Sequence, residues 1–281
     1  KMKYEDGVTV FLQTLNNEKD IEAVLSSISE NNPEQIVVAD GSSKDRTVEF
    51  ARNYTADVCV SEPGLARQLK EGLKRVKYKY LLVIENDHRY PKNFIESLCL
   101  ELKMSDFYGI QGTLECTFKR NYLEKGLACF YEIHQMQKGE RDLISGSSIY
   151  YSEIFINCIN IDEFNGYSSD TRKGEIEKEK KLKVGLGKTI AYQYEPLSFR
   201  TFRSKYFNYG RGDYIFYSFH KKNWRLRRKL KSIFHVFNRY VVDYPIKAIR
   251  LNKIQYIPYL WLSAVVRYAG WGWEILIHNN R

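Results

Sequence analysis

The segment Leu81-Leu-Val-Ile-Glu-Asn-Asp87 decides the fold, because a short apolar run ends there in two carboxylates. Two earlier apolar runs, 8–15 and 35–40, have the same form and end near Thr14 and at Asp40. Such runs are typical of strands that are buried on both faces of a sheet. Apolar residues at helical spacing fill the intervals between them. The alternation predicts an α/β protein with a mostly parallel sheet and a ligand site at the carboxyl ends of its strands.

The composition is that of a globular protein. The chain has 281 residues, of which 43% are hydrophobic and 28% charged, which argues against a disordered chain or a coiled coil. No apolar window reaches the roughly 18 residues of a membrane-spanning helix, and the first residues do not resemble a signal peptide, so we expect a cytoplasmic protein. The five cysteines are widely spaced, which favours reduced, mostly buried thiols over a zinc site or disulfides.

The net charge of +10 is concentrated near the C-terminus. Residues 219–253 contain eleven lysines and arginines and a single acid, Asp243, so the remainder of the chain is neutral. A local basic excess of this kind predicts an anionic partner. We therefore predict two parts, an α/β domain over residues 1–212 and a basic, aromatic, helical extension over residues 213–281.

Five short motifs follow one another along the chain. They are Thr14-Leu-Asn-Asn-Glu18, Asp40-Gly-Ser-Ser-Lys-Asp-Arg-Thr47, Glu85-Asn-Asp87, the loop from Asp162 to Thr171, and Tyr209-Gly-Arg-Gly212. Their sequences and their order resemble those of glycosyltransferase family 2. The resemblance covers roughly residues 7–213, and the last motif is similar to a stretch in exopolysaccharide and lipid-carrier glycosyltransferases. It implies the GT-A fold, which is Rossmann-like, with helices on both faces of the sheet.

This sequence departs from the pattern of that family at four positions. Gln13 stands where the family has proline, and Asn17 stands where its first glutamate would be. Glu85 replaces the first aspartate of the metal motif, and Ser169 replaces the glutamate before the catalytic base.

The resemblance implies an inverting transfer from a nucleotide-diphosphate-sugar to a hydroxyl of a glycan or lipid-linked acceptor, in surface polysaccharide or glycoconjugate synthesis. It implies Mn²⁺ or Mg²⁺ on Asp87 and Asp170 as catalytic base, with Asp162, Glu163 and Glu175 as alternatives for the base. The residues that it implies for nucleotide-sugar binding are Thr14, Asn16, Asp40, Arg67, Glu85, Arg203, Lys205 and Arg211.

The basic extension has competing interpretations. Clustered cations beside aromatic residues favour peripheral binding to an anionic membrane through residues 219–253, at the inner face of the plasma membrane. The alternative is packing on the sheet or on a second subunit, so a homo-oligomer is possible; we do not expect a nucleic-acid partner. Two other functions remain open: a membrane- or nucleic-acid-binding adaptor on a degenerate GT-A scaffold, and a nucleotidyltransferase of related fold.

Overall fold

A computed structural model describes residues 4–164 and 168–279, which form two compact units. The sheet unit comprises the chain up to Glu115, together with Gln137–Phe164 and Ser169–Tyr194. The helical unit comprises Cys116–Met136, Ser168 and the chain from Glu195 onward. This division differs from the predicted boundary after residue 212, because that boundary falls inside a continuous helix over Phe199–His220.

The first half of the sheet unit is the predicted parallel β-α-β arrangement. Its elements are β1 (Glu5–Thr14), α1 (Ile21–Ser29), β2 (Gln35–Asp40), α2 (Thr47–Arg52), β3 (Val58–Val60), α3 (Leu65–Leu73) and β4 (Tyr78–Ile84). β1 lies between β2 and β4 and is parallel to both, and Thr14 lies opposite Asp40 in the register. The carboxyl ends of β1, β2 and β4 therefore meet at one edge, as the sequence predicts.

The second half extends this sheet with antiparallel strands. The next elements are β5 (His88–Arg89), α4 (Phe94–Lys103), β6 (Gly109–Cys116), α5 (Tyr122–His134, in the helical unit), β7 (Gly139–Arg141), β8 (Ser148–Tyr151), α6 (Ser152–Cys158), α7 (Ser169–Glu179) and β9 (Val184–Gln193). The strand order is β3-β2-β1-β4-β8-β6-β9-β5, with β7 paired to β9. β8 is antiparallel to β4, so the parallel part of the sheet ends there.

The core of the sheet unit lies between the sheet and its helices. Phe11 and Leu81 on neighbouring strands are fully buried, and Leu69 and Leu73 of α3 pack in the same cluster. All five cysteines are thiols; four are buried and Cys158 is half-buried. Burial raises the pKa of the Cys99 thiol to about 11, so this side chain behaves as a neutral core residue.

The helical unit is built around aromatic side chains. After α5 it contains α8 (Phe199–His220), α9 (Leu226–Phe237), a π-helical segment (Asn238–Asp243), α10 (Tyr244–Arg250) and α11 (Ile257–Asn279). Phe202, Tyr206, Tyr240 and Tyr259 form the centre of its core. The hydroxyls of Tyr206 and Tyr259 are 2.9 Å apart, so each buried hydroxyl has a partner.

Two glycines bring the backbones of α8 and α11 into direct contact. A Cβ atom on Gly210 would lie 1.7 Å from the carbonyl oxygen of Arg267, and one on Gly270 would lie 2.0 Å from that of Phe207. Any larger residue at either position would force the helices apart. Among the helices of the described residues, none is both long and apolar enough to cross a membrane.

Candidate functional site

The ends of β1 and β2 form the first part of the candidate site. Gln68 of α3 is buried and donates from its side-chain amide to the carbonyl oxygens of Thr14, at 2.7 Å, and Ala39, at 3.1 Å. The Thr14 hydroxyl is buried and has no hydrogen-bond partner among the described residues. An unsatisfied buried hydroxyl is costly, so this group marks a place where a ligand would gain a hydrogen bond.

Asp40 organises the turn that follows β2. It is fully buried, and its two carboxylate oxygens accept bonds from the backbone amide of Ser43, at 2.8 Å, and from the Ser43 hydroxyl, at 2.5 Å. Asn16, in a left-handed conformation, accepts from the amide of Lys44 at 2.8 Å. The loops after β1 and β2 are thus tied to each other, and further contact of Asp40 with a nucleotide would use its remaining lone pairs.

The acidic segment after β4 lies beside these loops. Asn86 links it to β1, because its amide donates to the Gln13 carbonyl oxygen at 2.7 Å and accepts from Asn17 at 2.9 Å. Asp87 is fixed from β9 through Gln193, whose amide lies 3.2 Å from a carboxylate oxygen. The structure therefore brings Thr14, Asn16, Asp40, Glu85 and Asp87 to the same edge of the sheet.

A buried polar network supports the acidic segment, and the sequence alone does not reveal it. His88 is buried, with Nε2 3.6 Å from an Asp87 oxygen and Nδ1 2.7 Å from the Ser147 hydroxyl. Tyr90 contacts the same hydroxyl at 2.8 Å and accepts from the Glu85 amide at 3.2 Å. Burial raises the pKa of Tyr90, so its hydroxyl remains protonated. The network therefore contacts both Glu85 and Asp87 and fixes their positions.

The acidic segment fits a divalent cation that shares a diphosphate. The Asp87 side chain is 39% exposed, so its carboxylate is accessible. Within residues 4–164 and 168–279, no group of three or more His, Cys, Asp or Glu side chains could hold a metal ion alone. Mg²⁺ in nucleotide sites commonly uses one or two carboxylates, with phosphates and water as the other ligands. Asp87 fits that role, with Glu85 two residues before it.

Asp170 lies in the first turn of α7 and is exposed. Desolvation by the surrounding protein nevertheless raises the pKa of its carboxyl above the ordinary value. Among the alternatives, Asp162 forms a 3.0 Å ion pair with Lys70, and Glu175 lies 3.6 Å from Arg172. Glu163 ends a short 3₁₀ helix, and residues 165–167 of the predicted loop lie outside the described residues.

A buried ion pair anchors α7 to the rest of the sheet unit. The Lys173 ammonium donates to the carbonyl oxygen of Ile144 at 2.7 Å, the Tyr150 hydroxyl at 3.0 Å and Glu177 at 3.2 Å. Tyr108 donates to the same carboxylate oxygen of Glu177. Desolvation acts to lower the pKa of Lys173, but the neighbouring Tyr150 and Glu177 raise it above its ordinary value, so the side chain stays charged.

The segment 144–148 connects α7 to the acidic segment. Its first residue, Ile144, accepts from Lys173, and its Ser147 contacts His88. Between them Gly146 has a φ of +68°, and a Cβ atom there would lie 3.4 Å from the His88 ring and 3.8 Å from Glu85. The helix that carries Asp170 is thus docked on the same segment that lies against the acidic residues.

The four cations that the sequence predicts at the site lie in different parts of the structure. Arg67 forms a 2.7 Å ion pair with Glu62 on the surface of the sheet unit. Within the helical unit, Lys205 pairs with Glu195, and Arg211 lies 2.6 Å from the buried Glu274. Arg203 is exposed and lines a groove beside α11.

Gln68, Ser147 and Lys173 are the site-supporting residues that sequence reasoning missed. Gln68 had a detectable signal, since it lies on the apolar face of α3 beside Leu69. Lys173 lies in the charged stretch 172–183, where nothing in the sequence distinguishes it from solvent-exposed neighbours.

The comparisons with known proteins agree with this geometry. The profile of glycosyl transferase family 2 matches residues 9–159, which is more than half of the chain. The chain therefore belongs to glycosyltransferase family 2. A comparison with curated protein sequences found no significant match. The predicted family is confirmed, and family membership supports a role in glycosyl transfer.

Solved structures similar to this chain share its fold at low sequence identity. One is glucosyl-3-phosphoglycerate synthase from Mycobacterium tuberculosis in complex with Mn²⁺, UDP-glucose and phosphoglyceric acid, with a TM-score of 0.52, 18% identity, and coverage of 70% of this chain and 74% of that one. The complex of that enzyme with Mg²⁺ and UDP has a TM-score of 0.50, 18% identity and coverages of 68% and 73%. A mycobacterial protein has a TM-score of 0.51, 15% identity and coverages of 69% and 69%. The predicted GT-A fold with a helical C-terminal region is confirmed.

Proposed function

We propose that the chain is a metal-dependent, inverting hexosyltransferase that moves a sugar from a nucleotide-diphosphate-sugar to a hydroxyl of a glycan or lipid-linked acceptor. One observation carries the proposal: Thr14, Asp40 and the pair Glu85 and Asp87 follow three adjacent parallel strands and meet at one edge. The nucleoside lies against the loops after β1 and β2, where the buried Thr14 hydroxyl still lacks a hydrogen-bond partner among the described residues.

Asp87 would hold the cation together with the donor diphosphate, and Glu85 would bind the donor nucleotide-sugar. When bound, Mn²⁺ or Mg²⁺ supplies Lewis acidity that stabilises negative charge on the departing nucleoside diphosphate. The similar synthase was crystallised with these two metals and with UDP or UDP-glucose, which supports the assignment. Arg67, which lies in the same unit as these residues, remains a predicted cationic contact of the donor.

Asp170 acts as the catalytic base. Its carboxylate takes the proton of the acceptor hydroxyl as the oxygen bonds to the anomeric carbon, while the bond from that carbon to the phosphate oxygen breaks. The nucleoside diphosphate leaves from the opposite face, which inverts the anomeric configuration. The anchoring of α7 through Lys173 and Glu177 keeps the carboxylate in a fixed position.

The basic extension suits an anionic membrane surface at the inner face of the plasma membrane. On α9 the apolar side chains Leu226, Leu230, Phe234 and Phe237 are 70%, 45%, 50% and 46% exposed. Their spacing of four, four and three residues gives an exposed apolar stripe, and exposed cations such as Arg227 lie beside it. Amphipathic helices with this pattern lie in the interface of anionic bilayers.

A thermal-shift panel tests the proposed reaction. Nucleoside diphosphates and nucleotide-sugars are compared with and without Mn²⁺, because a true ligand raises the melting temperature by mass action. Donors that stabilise the protein then enter transfer assays with glycan, lipid-linked and small phosphorylated acceptors such as phosphoglyceric acid, the ligand of the similar synthase. Asp87→Asn is expected to lose the Mn²⁺-dependent shift. Asp106→Asn, a change at an exposed carboxylate paired with Lys183, is the matched control.

The competing functions give different results in this panel. An adaptor on a degenerate scaffold gives nucleotide binding or none, and no transfer with any acceptor. A nucleotidyltransferase consumes a nucleoside triphosphate and releases pyrophosphate. Either result would refute the proposed reaction.

A further inference from the structure

A series of buried polar groups runs from the backbone amide of Glu85 to the carboxylate of Asp87, within the sheet unit. Tyr90, Ser147 and His88 lie between these two ends and are 4%, 0% and 3% exposed. The distances between successive members are 3.2 Å, 2.8 Å, 2.7 Å and 3.6 Å. Because the three side chains are buried, each of their polar hydrogens needs an acceptor within the protein.

The direction of the first two hydrogen bonds follows from the Glu85 amide, because a backbone N–H group can only donate. The Tyr90 oxygen accepts from it, and burial raises the pKa of Tyr90, so the hydroxyl keeps its one hydrogen. Among the described residues, the other hydrogen-bond partner of this hydroxyl is Ser147. Tyr90 therefore donates to Ser147, since the reverse direction would leave a buried hydroxyl hydrogen without an acceptor.

The next hydrogen bond runs from Ser147 to His88. The Ser147 hydroxyl accepts from Tyr90 and has one hydrogen of its own to donate. Within the part of the chain that the structure describes, its remaining partner is Nδ1 of His88, which therefore accepts. An imidazole that accepts at Nδ1 carries its hydrogen on Nε2. That N–H group faces the Asp87 carboxylate, with Nε2 3.6 Å from its nearer oxygen.

We infer that His88 is a positioning residue for Asp87: it carries its hydrogen on Nε2, directs this N–H group toward the carboxylate and is not itself a metal ligand. Nδ1 accepts from Ser147 and Nε2 holds a hydrogen, so neither nitrogen offers a lone pair to a cation. The inference rests on the proposed function, in which Asp87 holds the cation. Polar groups behind a ligating carboxylate orient it, and their loss typically costs about 10- to 100-fold in metal affinity.

NMR of the full chain, without metal or nucleotide and with its histidine ring nitrogens isotopically labelled, tests the position of the hydrogen. The chemical shift of a ring nitrogen shows whether it carries a hydrogen, and the His88→Phe protein identifies the signals of His88 by their absence. In the wild type, the hydrogen is expected on Nε2. Ser147→Ala removes the donor to Nδ1, so the Nδ1 signal is expected to move toward that of a nitrogen without a hydrogen bond.

Two control variants separate this effect from a general loss of packing. Tyr90→Phe leaves the Ser147 hydroxyl in place, so Nδ1 is expected to keep its hydrogen bond and Nε2 its hydrogen. Ser152→Ala removes another fully buried hydroxyl of the sheet unit, which donates to the Tyr78 carbonyl oxygen at 2.7 Å. The Ser152→Ala protein is expected to give the wild-type signals for both nitrogens of His88.

Binding of Mn²⁺ in the presence of UDP, the nucleotide of the similar synthase, tests the positioning of Asp87. The free ion is measured by electron paramagnetic resonance. His88→Phe removes the N–H group and is expected to weaken Mn²⁺ binding by about 10- to 100-fold. His88→Gln places an amide N–H near the position of Nε2 and is expected to weaken it by less than about tenfold, and Ser152→Ala to leave it unchanged. Melting temperatures establish that each variant is folded; should His88→Phe unfold, the wild-type and Ser147→Ala spectra decide.

Two results would overturn the inference. The first is a hydrogen on Nδ1 of His88 in the wild type, because the hydrogen bonds would then run in the opposite direction. The second is equal Mn²⁺ binding by the wild-type, His88→Gln and His88→Phe proteins, or equal loss in both variants, because the N–H group would then have no role. A wild-type protein that binds no Mn²⁺ would refute the metal role of Asp87, and the positioning role with it, while the hydrogen on Nε2, observed in the metal-free protein, would stand.

Discussion

Removal of the Lys173 ammonium is expected to destabilise the sheet unit strongly. Lys173→Met keeps the length of the side chain but leaves the buried Glu177 carboxylate without its cation. One oxygen of that carboxylate already has no hydrogen-bond partner among the described residues, and Tyr108 alone would remain on the other. The breaking of a buried ion pair from one side costs about 3–5 kcal/mol, because the remaining charge is uncompensated.

Thermal melting measures this cost. About 4 kcal/mol corresponds to a fall in melting temperature of roughly 7 °C in a chain of this size. Lys178→Met is the matched control, since Lys178 lies on the same helix and pairs with Asp142 at the surface, where an ion pair contributes under about 1 kcal/mol. The double variant Lys173→Met with Glu177→Leu is expected to melt above the Lys173→Met variant, because no buried charge remains.

The reasoning would be refuted if the Lys173→Met and Lys178→Met proteins melted at the same temperature. It would also be refuted if the double variant lost the full cost of both single changes, because the two charges would then not be coupled. Below its melting temperature, the Lys173→Met protein is expected to bind donor normally and to turn over more slowly, since α7 carries Asp170.

Four further predictions concern the site and the extension. Asp87→Asn is expected to abolish transfer and metal-dependent nucleotide binding, and full activity in EDTA would contradict the metal role. Asp170→Asn is expected to lower turnover by about 10²–10⁴-fold with donor binding intact. Because desolvation raises the pKa of Asp170, the acid limb of the wild-type pH–rate profile is expected at a higher pH than an ordinary aspartate would give, and it would be absent from the variant. Desolvation acts to raise the pKa of Asp213, but Arg267 lowers it to about 2. This carboxylate is therefore expected to stabilise the helical unit by roughly 2–3 kcal/mol above pH 4 and to lose that contribution as the pH falls toward 2. If Asp213→Asn melted at the same temperature as the wild type at pH 6, this prediction would be contradicted. Charge reversal at three exposed cations of the extension, Arg225, Arg227 and Lys231, is expected to weaken sedimentation with anionic liposomes at low salt. The same charge change at Lys180, Lys181 and Lys188 on the sheet unit is expected to leave sedimentation unchanged.

The parallel half of the fold could be predicted because each buried strand is a continuous apolar run. Residues 8–15, 35–40 and 81–84 show this pattern, and the polar residues that end them mark the edge where the site lies. The antiparallel half was harder to predict from the sequence, because β5 and β7 have only two and three residues and both pair with β9, which is distant in the sequence. The sequence pattern does not encode such long-range pairing.

The supporting residues of the site were hidden for a different reason. A sequence shows which residues are polar but not which polar residues are buried, so Lys173 and Glu177 looked like ordinary surface charges. The motif Tyr209-Gly-Arg-Gly212 shows the reverse case. It was interpreted through a family resemblance, yet Gly210 has a steric role against α11, and Arg211 pairs with Glu274.

The contact between α8 and α11 restricts how this chain can evolve. A core position filled by a large side chain can drift, because a smaller neighbour compensates for a larger one. Gly210 and Gly270 face backbone atoms of the opposite helix, and no residue smaller than glycine exists to compensate for a substitution. Gly272, whose added Cβ atom would meet nothing within 4 Å, has no such restriction. Among natural variants, the first two glycines should therefore be retained together while the third varies freely.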